Sequence, residues 1–113
     1  MGYRLWVKAD ALPDKWYCGN KLYGYVEDDE LSSLKYLESL GKVSKDERCD
    51  CYFFDYDGDP AIVLSADEFR KFAELYDADR LNAALFTSVR TLYEQENWAE
   101  LVALPGNKTL HWN

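Results

Sequence analysis

The sequence predicts one α+β domain over residues 1–113, an antiparallel sheet of four or five strands with helices packed mainly on one face. Three observations support this fold class. The length of 113 residues suits a single domain, and 48% of the residues are hydrophobic, which is enough to fill one core. Segments of strand-like alternation are interleaved with segments of helical periodicity. The predicted order of elements is β-β-α-β-β-α-α-α-β.

The first part of the chain is predicted to form two strands and a helix. Residues 3–9 alternate as a strand does, with Tyr, Leu and Val on one side. Residues 11–21 have the composition of a loop, and residues 22–26 are predicted to form the second strand. A helix follows over about residues 30–40, and Gly41 is expected to end it.

The middle of the chain is predicted to form a β-hairpin. Strands over residues 51–56 and 61–64 flank Asp57-Gly58, a dipeptide that favours a two-residue turn between antiparallel strands. The polar segment 42–48 is expected to be a loop that leads into this hairpin.

Three helices and a last strand are predicted after the hairpin. Residues 65–68, Ser-Ala-Asp-Glu, form a capping box that opens the first of these helices. A second helix is expected to begin near Asp79 and a third near Asn97. Residues 108–112 are predicted to add a strand that closes the sheet. One face of the first helix has the spacing of buried residues: Phe69, Phe72, Ala73 and Tyr76.

The charge of the chain favours a basic protein partner. Asp and Glu number 21 against 13 Lys and Arg, which gives a net charge of -8. Such a surface repels phosphate backbones, so direct binding of DNA or RNA is not expected.

The sequence also predicts a cytoplasmic protein that does not enter a membrane. Arg4 and Lys8 interrupt the first ten residues, so these do not form the apolar core of a signal peptide. No apolar run approaches the length needed to span a bilayer. The three cysteines are an odd number without regular spacing, which argues against a disulfide framework and favours a reducing compartment.

Residues 53–58, Phe-Phe-Asp-Tyr-Asp-Gly, resemble the first motif of the haloacid dehalogenase-type phosphatases. This resemblance implies a nucleophilic Asp55, an acid/base Asp57 and a magnesium ion. It covers about six residues. The family usually has Thr after the glycine, where this chain has Asp59. The family also has an acidic pair later in the chain. Here the only such pair is Asp67-Glu68, which is predicted to start a helix.

The predicted hairpin gives a second interpretation of these aspartates. With a two-residue turn at Asp57-Gly58, Asp55 lies on the same face as Ile62, and Asp59 lies on the opposite face. Carboxylates on opposite faces do not converge on one ion. The favoured interpretation is therefore turn chemistry, and no metal site is predicted.

Four residues could form a zinc site: Cys18, Cys49, Cys51 and His111. Of these, Cys18 and His111 could also form a nucleophile–base pair. The spacing of the four matches no common zinc module. Buried cysteine acting as a small apolar residue is the favoured interpretation, although the sequence does not determine whether these four residues come together. We predict no catalytic residue, no metal and no cofactor.

An acidic run and an aromatic loop form the predicted partner-binding site. The run lies at a strand-to-helix junction, where negative charge also suits the helix dipole. Aromatic anchors rimmed by carboxylates are typical of protein interfaces. The residues of this predicted site are Trp16, Tyr17, Tyr23, Tyr25, Glu27, Asp28, Asp29 and Glu30.

Taken alone, the sequence favours a non-catalytic accessory domain whose acidic surface engages a basic protein partner. Immunity proteins and phage-encoded inhibitors that mimic DNA charge share this kind of composition, without any shared motif. The alternative is a small metal-dependent phosphatase-like enzyme that uses Asp55 and Asp57. The sequence leaves the oligomeric state open, a homodimer included.

Overall fold

The computed structural model describes residues 5–19, 31–46, 51–53, 62–86 and 96–112. These residues form an α+β fold, as predicted, with six strands and three helices. In chain order the elements are β1 (Leu5–Ala9), β2 (Trp16–Cys18), α1 (Ser32–Ser39), β3 (Ser44–Asp46), β4 (Cys51–Phe53), β5 (Ile62–Leu64), α2 (Ala66–Phe86), α3 (Trp98–Ala103) and β6 (Lys108–Trp112).

The main sheet is antiparallel and has four strands in the order β2-β1-β6-β5. Its central pair joins strands that are far apart in sequence, with Leu5 opposite Trp112 and Ala9 opposite Lys108. Because side chains alternate along a strand and cross-strand partners share a face, this register divides the sheet into an inner and an outer face. The inner face includes Val7, with Tyr17 and Leu110 on the neighbouring strands.

The core lies between this inner face and the helices. The sheet contributes alternate residues of its strands, and each helix contributes one apolar stripe. Helices therefore pack on one face of the sheet, as predicted. The buried core residues of the sheet are Leu5, Val7, Ala9, Tyr17, Leu64, Leu110 and Trp112. Those of the helices are Leu34, Leu37, Phe69, Phe72, Ala73, Tyr76, Trp98 and Leu101.

The capping box predicted at residues 65–68 is present at the start of α2. Ser65 N donates to Glu68 Oε1 at 2.9 Å, and Glu68 N donates to Ser65 Oγ at 3.2 Å. The helix then continues without a break to Phe86, where the sequence predicted two helices. The prediction that a separate helix begins near Asp79 is therefore wrong. The Asp79 carboxylate instead caps α1, where it accepts from Ser32 N and Ser33 N at 2.9 Å each.

Gly41 follows the end of α1, as predicted. It has a φ of +73°, a left-handed conformation that glycine adopts without the steric cost that a Cβ brings. Gly41 N donates to Glu38 O, and Lys42 N donates to Leu37 O, so two of the last carbonyls of the helix have partners.

Two short strands lie where the sequence predicted loops. β2 falls within 11–21, and β3 falls within 42–48. β3 pairs with β4 in a separate two-stranded sheet, whereas β5 pairs with β6 in the main sheet. The predicted hairpin between 51–56 and 61–64 is therefore wrong for the described residues, because their strands β4 and β5 lie in different sheets. The predicted strand over 22–26 and the turn at Asp57-Gly58 lie outside the described residues. Within the described part of the chain, no helix has the length and apolar character that crossing a membrane requires.

Candidate functional site

The outer sheet face is the first candidate surface. We use this name for Trp6, Lys8, Trp16, Val63, Thr109 and His111, which the strand register places on the side away from the helices. Trp16 is 40% exposed and Val63 is 42% exposed, both high values for large apolar side chains. An exposed apolar surface on a sheet is a feature of interaction sites.

Contacts from both neighbouring directions order the Trp16 side chain. Lys8 Nζ lies 5.1 Å from the centroid of the Trp16 ring, within the range of a cation–π interaction. The His111 ring lies on the other side of β1, with its centroid 6.2 Å from that of Trp16. The indole is therefore both exposed and held in place, which lowers the entropy cost of using it as an anchor.

Tyr17 lies on the opposite face of the sheet from Trp16. It is 1% exposed, and its hydroxyl donates to Glu100 Oε1 at 2.9 Å. Burial raises the pKa of the Tyr17 hydroxyl, and the Glu100 carboxylate raises it further, because both disfavour the phenolate. Of the two neighbours predicted to bind a partner, Trp16 thus reaches the surface and Tyr17 belongs to the core.

The other residues of the predicted partner-binding site lie outside the described residues: Tyr23, Tyr25, Glu27, Asp28, Asp29 and Glu30. The same holds for Asp55 and Asp57 of the phosphatase-like motif and for Cys49.

Cys18 and His111 are not brought together as a nucleophile and its base. Both pair with Trp6, one from β2 and one from β6, so β1 lies between them. Two strand spacings separate their backbones by roughly 9.6 Å. Cys18 is buried, and its thiol donates to Gly19 O at 3.2 Å. Among the described residues, no group of three or more His, Cys, Asp or Glu is arranged to hold a metal ion.

A groove between α2 and α3 is the second candidate surface, and we call it the α2–α3 groove. Its volume is about 520 Å³, within the range of small-molecule binding sites. The side chains that line it combine apolar and charged groups. Its apolar residues are Ala73, Trp98, Ala99 and Val102, and its polar and charged residues are Arg70, Glu74, Asp77, Arg80, Glu96 and Asn97.

The charges around the α2–α3 groove are partly paired. Arg70 Nη1 lies 2.9 Å from Oδ1 of Asp67, and Arg80 Nε lies 3.9 Å from Oδ1 of Asp77. Each arginine thus lies near an aspartate one helical turn earlier. The sequence does not predict this groove, because helical spacing shows which residues of α2 face away from the core, but not that α3 packs beside them.

The position of α3 is fixed by contacts with β2 and with α2. The Trp98 ring stacks on Tyr76, with centroids 4.8 Å apart. Glu96 N donates to Cys18 O at 2.9 Å, just before the helix begins. A Cβ at Gly19 would approach Trp98 Cζ2 to 2.9 Å, so the chain after β2 needs glycine to pass this ring. The groove therefore has one wall anchored to the edge of the sheet.

Comparisons of this chain with protein-family models, with curated proteins and with solved structures found no match.

Proposed function

We propose that this chain is a non-catalytic accessory domain that binds a basic protein partner, in the manner of an inhibitor or an immunity protein. The observation that carries this proposal is the Trp16 side chain, 40% exposed on the outer sheet face. Tryptophan is among the residues that most often dominate the free energy of binding at protein interfaces.

The surroundings of Trp16 suit such an interface. The side chain stands on a strand whose backbone is bonded to β1, and it lies against Lys8 and near His111. Val63, which is also exposed, lies at the other edge of the same face, with Lys8 and Thr109 between it and Trp16. A partner that covers this face would bury apolar area on a support that is already ordered.

The basic character of the proposed partner follows from charge. The chain has a net charge of -8, which attracts positively charged proteins and accelerates their encounter with it. The acidic run at residues 27–30 follows β2 in the sequence, and we propose that it forms the rim of the interface together with Tyr23 and Tyr25.

The test begins with purification of the protein from its native host together with a stoichiometric partner, which mass spectrometry then identifies. Trp16→Ala should raise the Kd for that partner by about 30-fold. This corresponds to a loss of roughly 2 kcal/mol of binding free energy, as expected for an interface anchor. Tyr17→Phe is the matched control, because its ring faces the core and only its hydroxyl is lost. We expect the control to bind within about twofold of the unmodified chain.

Two results would contradict the proposal. One is a partner complex in which Trp16→Ala binds as tightly as the unmodified chain. The other is a magnesium-dependent cleavage of phosphate esters by the purified chain that Asp55→Asn abolishes, since this would support the phosphatase-like alternative.

A further inference from the structure

We propose that the α2–α3 groove binds an uncharged small molecule through a carbonyl oxygen of that molecule. The groove lies on the helix side of the sheet, whereas Trp16 stands on the outer sheet face. This binding site is therefore separate from the proposed partner interface and does not depend on it. Two buried donors, the balance of charges and the shape of the groove support it.

Two residues that line the groove carry a buried donor, Nε1 of Trp98 and Nε of Arg80, that has no acceptor in the described part of the chain. Arg80 Nε lies 3.9 Å from Oδ1 of Asp77, which is too long for a hydrogen bond. A buried N–H group without an acceptor is unfavourable, so most such groups in folded proteins have one. A ligand oxygen in the groove would supply it. The Arg80 side chain is 36% exposed, which leaves it room to move as the ligand enters.

The indole of Trp98 is ordered by neighbouring rings. It stacks on Tyr76 with centroids 4.8 Å apart and lies 5.7 Å from Phe69, centroid to centroid. Trp98 is 4% exposed, so these contacts enclose nearly the whole side chain. Its N–H group therefore has a fixed direction before any ligand binds, which lowers the entropy cost of binding.

The charges that line the groove disfavour a ligand with a net charge. An anion would meet three carboxylates, and a cation would meet two guanidinium groups and could not accept from the buried donors. A carbonyl oxygen has two lone pairs, so one such group can accept from one donor or from both. The ionisable side chains of the lining are Glu74, Asp77, Glu96, Arg70 and Arg80.

The shape of the groove suits a ligand with an apolar body. Ala73, Ala99 and Val102 provide apolar contacts from both helices in a space of about 520 Å³. Small-molecule sites typically combine such apolar walls with a few polar groups that fix the orientation of the ligand. The expected ligand class is therefore an apolar or aromatic molecule that carries an amide, lactam or imide group.

The first experiment titrates the full chain with three molecules of the same shape. Benzamide is uncharged and has a carbonyl oxygen, benzoate is an anion, and benzamidine is a cation without an oxygen. The readout is the indole N–H signal of Trp98 in a nitrogen-15 correlation spectrum, which contacts with the Tyr76 ring assign. The titration extends to about 20 mM, because a fragment of this size reaches millimolar affinity at most.

We expect benzamide to shift the Trp98 signal downfield in a saturable way, because the N–H group gains an acceptor. Benzoate should bind at least about fivefold more weakly, and benzamidine should give no shift. The absence of a saturable shift with benzamide, or equal binding of benzamidine, would overturn the proposal. Tighter binding of benzoate than of benzamide would overturn the choice of an uncharged ligand.

Arg80→Lys is the decisive variant, and Arg70→Lys is its matched control. Both keep the positive charge on the same helix, but only the first removes the donor that has no acceptor. Nη1 of Arg70 already donates to Asp67 Oδ1 at 2.9 Å. Arg80→Lys should raise the Kd for benzamide by about fivefold or more, and Arg70→Lys by less than about twofold. Equal changes in Kd would contradict the role of Arg80 in the site.

Trp16→Ala separates this site from the proposed partner interface. Because Trp16 lies on the opposite face of the sheet, the variant should bind benzamide within about twofold of the unmodified chain. Loss of benzamide binding in Trp16→Ala would place the ligand on the outer sheet face and refute the groove as its site. Loss of the protein partner alone would leave the groove proposal intact.

Discussion

At the residue scale, Asp79 has a role that its own helix does not reveal. α1 begins after Leu31, which has no side chain that can cap the helix. Asp79 of α2 fills this place: its carboxylate accepts from Ser32 N and Ser33 N and also from Ser33 Oγ at 2.5 Å. The carboxylate is buried, so it both satisfies the first N–H groups of α1 and ties the two helices together.

Replacement of this carboxylate should destabilise the chain strongly. We expect Asp79→Ala to lower the free energy of unfolding by about 3 kcal/mol, because it leaves buried donors of α1 without an acceptor. Urea denaturation measures the change, and Asp14→Ala, at an exposed loop position, should stay within about 0.5 kcal/mol of the unmodified chain. If Asp79→Ala lowers the free energy of unfolding no more than Asp14→Ala does, water replaces the carboxylate as the cap of α1.

Lys108 is a second residue whose role depends on the folded chain. It is fully buried on the inner face, and its Nζ donates to Leu104 O, at the end of α3, and to Gly106 O at 3.2 Å. Phe69 contacts the same amine through its ring, at 5.9 Å from the centroid. Burial lowers the pKa of the Lys108 amine, and the nearby Arg70 lowers it further.

The lowered pKa of Lys108 predicts the direction of a pH effect. In the unfolded chain the amine keeps its proton up to about 10.5, whereas in the folded chain it loses the proton at a lower pH. Between the two values the unfolded state binds more protons, so stability rises with pH. Relative to Lys108→Met, the free energy of unfolding of the unmodified chain should rise as the pH approaches 10.5, and should be flat at lower pH.

Urea denaturation of both proteins from neutral pH to 10.5 measures this difference. The tyrosines titrate in both proteins, so their contributions largely cancel when the two are subtracted. A difference that falls with rising pH would show that hydrogen bonds to the protonated amine outweigh the cost of burying it.

At the scale of elements, α2 is one helix through the position where the sequence predicted a second start. Ala78 lies in its middle and Ala66 is its first residue. Ala78→Pro should cost about 3 kcal/mol or more, because proline removes a hydrogen bond inside a helix and clashes with the preceding turn. Ala66→Pro should stay within about 1 kcal/mol, since proline suits the first helical position. Thermal or urea denaturation measures both changes. If Ala78→Pro lowers the free energy of unfolding no more than Ala66→Pro does, residues 66–86 form two helices rather than one.

Local signals in the sequence predicted the elements that depend on local chemistry. The capping box at Ser65, the left-handed Gly41 and the strand that ends at Trp112 are all present. β2 and β3 were missed because three residues are too few to show a period, and their pairing depends on backbone bonds to distant strands.

The same limit applied to the candidate site. The sequence predicted both Trp16 and Tyr17 to bind a partner because both are aromatic. Only the register of β2 against β1 decides which of them faces the core. The α2–α3 groove depends on the packing of two helices, for which the sequence contains no local signal. What the sequence could predict was the charge of the surface and the presence of aromatic anchors.

At the scale of the whole molecule, charge and apolar contact should control different steps of the proposed binding. The net charge of -8 acts over several ångströms and is screened by salt, whereas the Trp16 contact forms only after docking. We therefore expect raised ionic strength to lower kon for the basic partner by about tenfold with little change in koff. Trp16→Ala should do the reverse, raising koff and leaving kon nearly unchanged.

Surface plasmon resonance at two salt concentrations measures both rates, with Tyr17→Phe as the control expected to follow the unmodified chain in each. A kon that does not depend on salt would contradict an acidic surface that attracts a basic protein.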